Sequence, residues 1–229
     1  MRGEDKKSMQ NVVVLQHNED TREIGRFLKK YEPKCKLKDF YPNLTIKKNL
    51  REEVRKTLKV EEGTLVFYAT GYKHYYTYGL CKEIADKLSK SWTYIHIDRH
   101  GDLGNGTNEK KVGYGSFVDS ILTDTNADEL IYFGSSPGKS DTKRLGELGK
   151  KYVWDEKLER VDEILDNCGE NVYVSSDLDL LSSEYIHTDF GNGEIKLKTL
   201  LDALRKIKHR KNILAADVNG YSSLGATQE

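Results

Sequence analysis

Cysteine is scarce in this sequence, and the three present, Cys35, Cys81 and Cys168, are odd in number, widely separated and never spaced C-x-x-C. That pattern argues against a disulfide frame and against zinc held by cysteine, and it fits reduced thiols in a cytoplasmic protein. Proline is as rare, at three residues, so no proline-rich linker divides the chain. No run approaches the roughly 20 apolar residues of a membrane span, and the early apolar run at 12–15 is too short for a signal-peptide core. Neither sign of charge prevails, since 37 basic residues balance 37 acidic ones. Nothing global therefore points to nucleic acid or a membrane surface as a partner.

What is present describes a folded domain. Hydrophobic residues make up 37% and charged residues 32% of the chain, the balance of a heavily charged globular protein that can bury a core. Residues 1–10 are polar and read as a flexible N-terminus, with one domain over 11–229. The basic stretch from Lys29 to Lys59 reads as a solvated helix and loop face, or else as a docking surface for an acidic partner. Short β-branched runs at 12–15, 65–68, 93–98, 130–133, 172–175 and 213–216 predict strands. Amphipathic stretches at 20–31, 49–58, 75–89, 114–122, 157–166 and 197–208 predict helices. Strands that are apolar throughout are covered on both faces. Their alternation with helices predicts an α/β fold of three layers, a doubly wound and mainly parallel sheet with helices on both sides. Ligands of such sheets gather beyond the carboxyl ends of the strands.

Chemistry-bearing residues concentrate at those ends. One predicted strand runs into Asp98-Arg99-His100-Gly101-Asp102 and another into Ser175-Ser176-Asp177-Leu178-Asp179, while Gly71-Tyr72-Lys73-His74 follows a third. If the extended backbone continues, alternation sends Asp98, His100 and Asp102 to one side, and likewise Asp177 and Asp179. Four carboxylates crowded into one cleft are unfavourable without cations to neutralise them. Carboxylate oxygens with one or two imidazoles suit manganese, with magnesium or zinc as alternatives. His96 shares the face of Asp98 one layer deeper and reads as packing or support for a ligand. His209 reads as a solvated helix end.

The order of a glycine-preceded His, then D-x-H-x-D, then S-x-D-x-D, resembles the arginase–agmatinase (ureohydrolase) superfamily over residues 65–221. The resemblance implies an arginase/deacetylase-like fold and two Mn2+ per chain. Asp98 and Asp177 would bridge the ions, His74 and Asp102 would complete one site, and His100 and Asp179 the other. Deacetylase relatives hold one zinc and need fewer ligands, so six filled positions favour the dinuclear branch. Two cations sharing a water lower its pKa for attack on a guanidinium, releasing urea and an amine. Asp102 would accept a hydrogen bond from that water. Asp217 stands where arginases carry the glutamate that grips the guanidinium, and so counts as both a catalytic and a substrate-binding candidate.

The departures concern the substrate. Tyr114 occupies the place of a proton-shuttling histidine, and an unperturbed tyrosine pKa near 10 makes it a less apt shuttle. His187, in the loop after the second motif, is a further candidate for that role. Groups that hold the carboxylate and ammonium of free arginine are missing: Gly104, Ser136 and Pro137 stand in their places, and the substrate loop has become residues 180–193. These departures, with the sequence from Val14 to Glu19, are similar to an arginase-like branch that converts arginyl to ornithyl residues in peptides. That similarity makes His17 and Glu19 candidate substrate contacts. The expected activity is a manganese hydrolase acting on an arginine-containing peptide or another guanidino substrate. The alternatives are an agmatinase-like or free-arginine ureohydrolase, a deacylase of the same fold, and a metal-binding module without turnover.

Overall fold

The computed structural model describes residues 11–16, 19–40, 45–68, 70–104 and 110–221. The strands are β1 (Asn11–Gln16), β2 (Lys36–Asp39), β3 (Thr64–Phe67), β4 (Trp92–Ile97), β5 (Ala127–Phe133), β6 (Lys151–Asp155), β7 (Asn171–Asp177) and β8 (Asn212–Asn219). The helices are α1 (Glu19–Tyr31), α2 (Lys47–Thr57), α3 (Tyr76–Ala85), α4 (Phe117–Asp124), α5 (Lys139–Leu148), α6 (Val161–Asn167) and α7 (Leu197–Arg210). The eight strands form one sheet in the order β2-β1-β3-β8-β7-β4-β5-β6, and every neighbouring pair is parallel. The expected fold class is the one observed, with parallel pairing throughout.

The central strands owe their position to composition. All six residues of β4 are buried, as are the last six of β7. Successive side chains feed two separate cores. On one face Tyr94, Tyr132 and Tyr173 pack with residues of α2, α3 and α4, among them Val54, Leu80 and Ile121. On the other face Ile95, Ile97 and Val174 pack with Ile164 of α6 and with Leu200, Ala203 and Ile207 of α7. Each such aliphatic side chain contributes about 1.5–3 kcal/mol on burial, so both layers hold the strand ends in place. The basic stretch is divided: Lys29, Lys30, Lys34, Lys36, Lys38, Lys48, Lys56 and Lys59 are exposed, while three of its residues join α2 to its neighbours. Lys47 reaches Asp124 at 2.9 Å, and Arg51 and Arg55 both pair with Glu83 and Asp86 at the edge of α3. The pairs with Glu83 and Asp86 clamp α2 to α3. His209 is exposed near the end of α7, as expected.

Strand order creates the site. From β4 the chain moves outward through β5 and β6, then returns to place β7 against the other side of β4 and continues to β8. The crevice beyond the carboxyl ends of β4 and β7 is therefore a topological switch point, where open parallel sheets bind ligands. In register Ile97 lies opposite Ser176, so the loops that carry Asp98 and Asp177 leave the sheet side by side.

Candidate metal centre

The two acidic motifs reach the crevice by turns rather than by continued alternation of a strand. β4 ends at Ile97, and residues 98–100 bend. Asp98 Oδ1 accepts the backbone N–H of His100 at 2.6 Å. β7 ends at Asp177, which caps the 3₁₀ turn Leu178–Leu180 by accepting the N–H of Asp179 on Oδ1 at 3.0 Å. Each motif thus folds as an aspartate turn, in which the first carboxylate fixes the loop with one oxygen. Asp102 has φ 47°, a left-handed conformation that aspartate tolerates better than most residues and that clusters at functional sites. Gly220, at φ 92°, lies so close to Asp177 that an added Cβ would fall 1.9 Å from Oδ1. Only glycine lets β8 end there.

All six expected metal ligands converge. His74 follows the 3₁₀ turn Gly71–Lys73, and its Nδ1 lies 3.2 Å from Asp98 Oδ2, 3.4 Å from Asp102 Oδ2 and 3.3 Å from Asp177 Oδ2. His100 Nδ1 lies 2.9 Å from Asp179 Oδ2 and 3.4 Å from Asp98 Oδ1. Two donor groups therefore share Asp98, which offers one oxygen to each. A cation about 2.1 Å from each donor sets neighbouring donors about 3 Å apart, which is the spacing found here. Asp98 Oδ2 and both carboxylate oxygens of Asp179 are buried with no hydrogen bond. Buried carboxylate oxygens are costly in that state unless a cation completes them. The residues present fit a metal centre.

Electrostatics agree. Burial and the neighbouring Asp98 push the Asp102 carboxyl up to about 7. Burial pushes Asp179 to about 7 as well, against the influence of His100 and with that of Asp177 and Asp98; burial also raises Asp177. Asp179 and Asp98 raise His100 to about 10. For His74, burial disfavours the charged form, but Asp102, Asp177 and Asp98 outweigh it and push the group well up. Asp98 alone is held below the usual carboxylate range, because His100 and His74 overcome its burial. The cluster without a cation retains protons, as crowded carboxylates do.

Beneath the ligands lies a second layer. His74 Nε2 is 2.9 Å from Ser175 Oγ, and Ser175 donates to Asp217 Oδ1 at 2.9 Å. His74 is thereby the donor at Nε2, which leaves Nδ1 to face the crevice. Here the expectation for Asp217 is corrected. Its carboxylate does not line the cleft; it is fully buried and accepts hydroxyls from Tyr68 at 2.9 Å, Thr77 at 3.2 Å and Tyr173 at 2.7 Å in addition to Ser175. The reason is register. Asp217 pairs directly with Ser175 inside the sheet, one layer below Asp177, and an aspartate is too short to climb past it. His96 is close to Asp98, but its Nε2 donates to the carbonyl of His100 at 3.0 Å, and burial depresses it to about 4. With His74 and Asp98 it stands close enough to form a candidate metal-holding group, but the bond to the His100 carbonyl occupies Nε2.

Above the ligands is a cavity of about 230 Å³. Tyr114 lines it, as do Gly115 and Phe190. His187 is exposed on the 181–196 loop and lies outside the cavity wall. His17 and the side chain of Glu19 lie outside the described residues. Sequence reasoning passed over Ser175, Tyr68, Thr77 and Tyr173 beneath the site, and Tyr72 and Phe190 above it. For Ser175 a signal existed, since it precedes Asp177 by two on the same strand face. For Phe190, in an irregular loop, there was none.

Fold and site together define a doubly wound parallel α/β protein with a cluster of candidate metal ligands at its switch point. The chain belongs to the arginase family, whose model matches residues 15–227. Among solved structures it is similar to Helicobacter pylori arginase, at 14% identity and a TM-score of 0.66, with 96% of this chain and 93% of that one covered. A variant of Trypanosoma cruzi formiminoglutamase with manganese gives 13% identity and a TM-score of 0.70 over 96% of this chain and 88% of that one. Proclavaminate amidino hydrolase from Streptomyces clavuligerus gives 19% and 0.62 over 83% and 68%. At these identities the likeness is one of fold. No curated protein matches by sequence.

Proposed function

We propose that this chain is a manganese-dependent hydrolase that cleaves a guanidino C–N bond, converting arginine side chains in a peptide to ornithine with release of urea. The observation that carries this reading is the pair of donor groups sharing Asp98, with buried carboxylate oxygens that lack any other partner. His74 and Asp102 would hold one ion and His100 and Asp179 the other, with Asp98 and Asp177 between them. The donor set suits manganese, and the solved relatives include a manganese-bearing formiminoglutamase and an amidino hydrolase.

When bound, the two ions supply Lewis acidity and an acidified water. The remaining chemistry belongs to side chains. Asp102 is the most accessible of the four carboxylates, 13% exposed against 1–4% for the others, and accepts the proton of the attacking water at a carboxylate oxygen. Ser175 and Asp217 hold the His74 ring so that Nδ1 stays aimed at the crevice. Tyr114, in the cavity wall, is better placed than the exposed His187 to give a proton from its hydroxyl to the leaving amine. With Asp217 locked below, the guanidinium is left to the walls of the cavity.

The test is incubation of the manganese-loaded protein with an arginine-containing peptide library, scoring urea and the matching mass loss. Urea from free arginine or agmatine alone would overturn the peptide assignment, and release of a carboxylic acid instead would overturn the guanidino chemistry. His74→Ala and Asp177→Ala are each expected to lose bound manganese, measured by metal analysis after gel filtration.

A further inference from the structure

Three aromatic rings from three separate segments meet beside the cavity: Tyr114 and Phe190 line it, and Tyr72 packs against both. Tyr72 belongs to the 3₁₀ turn after β3, Tyr114 to the loop before α4, and Phe190 to the loop between β7 and α7. Phe190 is central, with ring centroids 4.4 Å from Tyr72, 5.4 Å from Tyr114 and 6.2 Å from His100. Tyr72 and Tyr114 meet edge-on at 5.8 Å. Gly71 makes room for this arrangement, since a Cβ there would lie 2.9 Å from the Phe190 ring. The cluster is not part of either core, and Tyr72 and Tyr114 are each 50% exposed. Half-exposed rings in mutual contact are an unfavourable surface for water to cover, and such a patch beside a cavity marks a binding edge.

Charge narrows what the edge binds. Among the described residues no lysine or arginine lines this cavity. Arg99, between two ligands in sequence, turns away and donates to the carbonyl of Asn192 at 2.7 Å, beside a separate pocket. Among the described lining residues, a free amino acid's carboxylate would find no lysine or arginine to hold it, and its ammonium no carboxylate other than the candidate metal ligands. A guanidinium is flat, delocalised and weakly hydrated, so it leaves water for an aromatic face at low cost. Its methylene stem is apolar and packs on the same rings.

We propose that Tyr72, Tyr114 and Phe190 form an aromatic collar that selects the substrate: it admits a planar cationic head on an uncharged alkyl stem, presented from a chain whose α-groups are in amide bonds, and turns away free amino acids. This rests on the hydrolase reading above for the identity of the head group. The collar acts on binding, and the metal ligands act on turnover.

The two are separable with the manganese-loaded full-length protein. The ligands are N-acetyl-arginine amide and free arginine, measured by calorimetry for binding and by urea release for turnover. Phe190→Leu and Tyr114→Leu keep apolar bulk but lose the ring face; Tyr114→Phe keeps the face and loses the hydroxyl. The collar predicts that each leucine variant weakens binding of the capped arginine and raises its KM roughly tenfold. Manganese content should be unchanged and kcat within about twofold for Phe190→Leu. Tyr114→Phe should retain wild-type KM even if kcat falls. Capped arginine that binds the leucine variants as tightly as wild type overturns the collar. So does free arginine that binds wild type as tightly as the capped form. Binding that follows this pattern with no urea from any guanidine sustains the collar and overturns the proposed reaction instead.

Discussion

The convergence of the six candidate ligands was legible in the sequence because each motif is local. Asp98, His100 and Asp102 lie within five residues, and Asp177 and Asp179 within three, so one turn apiece aims them, whatever the distant packing. Asp217 was misread because its depth depends on a partner 42 positions away, through its register with Ser175. Its actual surroundings make a residue-scale prediction that separates the two roles. In Asp217→Asn the amide nitrogen must donate where a hydroxyl now donates, leaving one of the Tyr68, Thr77, Ser175 or Tyr173 hydroxyls without an acceptor in a fully buried site. One such loss costs about 1–3 kcal/mol, and the loosened His74 ring should weaken metal binding about 10- to 100-fold. Urea melts and chelator competition measure both. A substrate-gripping Asp217 would instead raise KM with stability and metal affinity intact, and that outcome would sink the second-layer assignment.

At the scale of elements, the six inner strands were legible and the two outermost, β2 and β6, were not. Inner strands are covered on both faces and read as apolar runs, whereas β2, Lys36–Asp39, is mostly exposed and alternates lysine with one leucine. Charged, short edge strands are what keep a sheet from pairing with another chain, and the same feature hides them from a search for apolar runs. Helix α5 escaped for a related reason. Only Leu145 is buried among its ten residues, and Gly146 interrupts its last turn. That glycine has nothing within 4 Å of where its Cβ would be. Gly146→Ala should therefore raise stability by about 0.5–1 kcal/mol, seen as a higher denaturant midpoint with unchanged metal content. Gly220→Ala should do the reverse. The added methyl meets Asp177 and the backbone of Leu178, so the variant should lose both stability and manganese. If both alanines were neutral, the backbone geometry at these two positions would be wrong.

For the whole molecule, the fold and the metal centre are coupled through protons. A parallel sheet with a switch point beyond β4 and β7 puts four carboxylates and two imidazoles where they cannot all hold their ordinary charge. Without metal, Asp102 and Asp179 titrate near 7, above the roughly 3.9 of an unfolded aspartate. Groups raised in this way favour folding below the unfolded value, and that contribution is lost as pH rises from about 4 through about 7. His100, raised to about 10, likewise contributes below about 6.5 and loses that contribution as pH rises through 10. Asp98, held low, has the opposite sign, but its contribution is lost only below about 4, outside the working range. His96, depressed to about 4, also has the opposite sign. Its contribution grows as pH rises toward about 6.5, which offsets part of the loss from Asp102, Asp179 and His100. The metal-free protein should therefore lose stability from pH 5 to pH 8. A bound cation requires these groups deprotonated, so its binding releases protons and tightens over the same interval. Manganese at about 100 times its Kd adds roughly 2.7 kcal/mol, and with fixed total manganese the increment grows as Kd falls. The rise in Tm on adding manganese should accordingly increase from pH 5 to pH 8, while the Tm of the metal-free protein falls. A manganese shift that stayed flat or shrank across that interval would mean that the ion sits elsewhere than among His74, Asp98, His100, Asp102, Asp177 and Asp179.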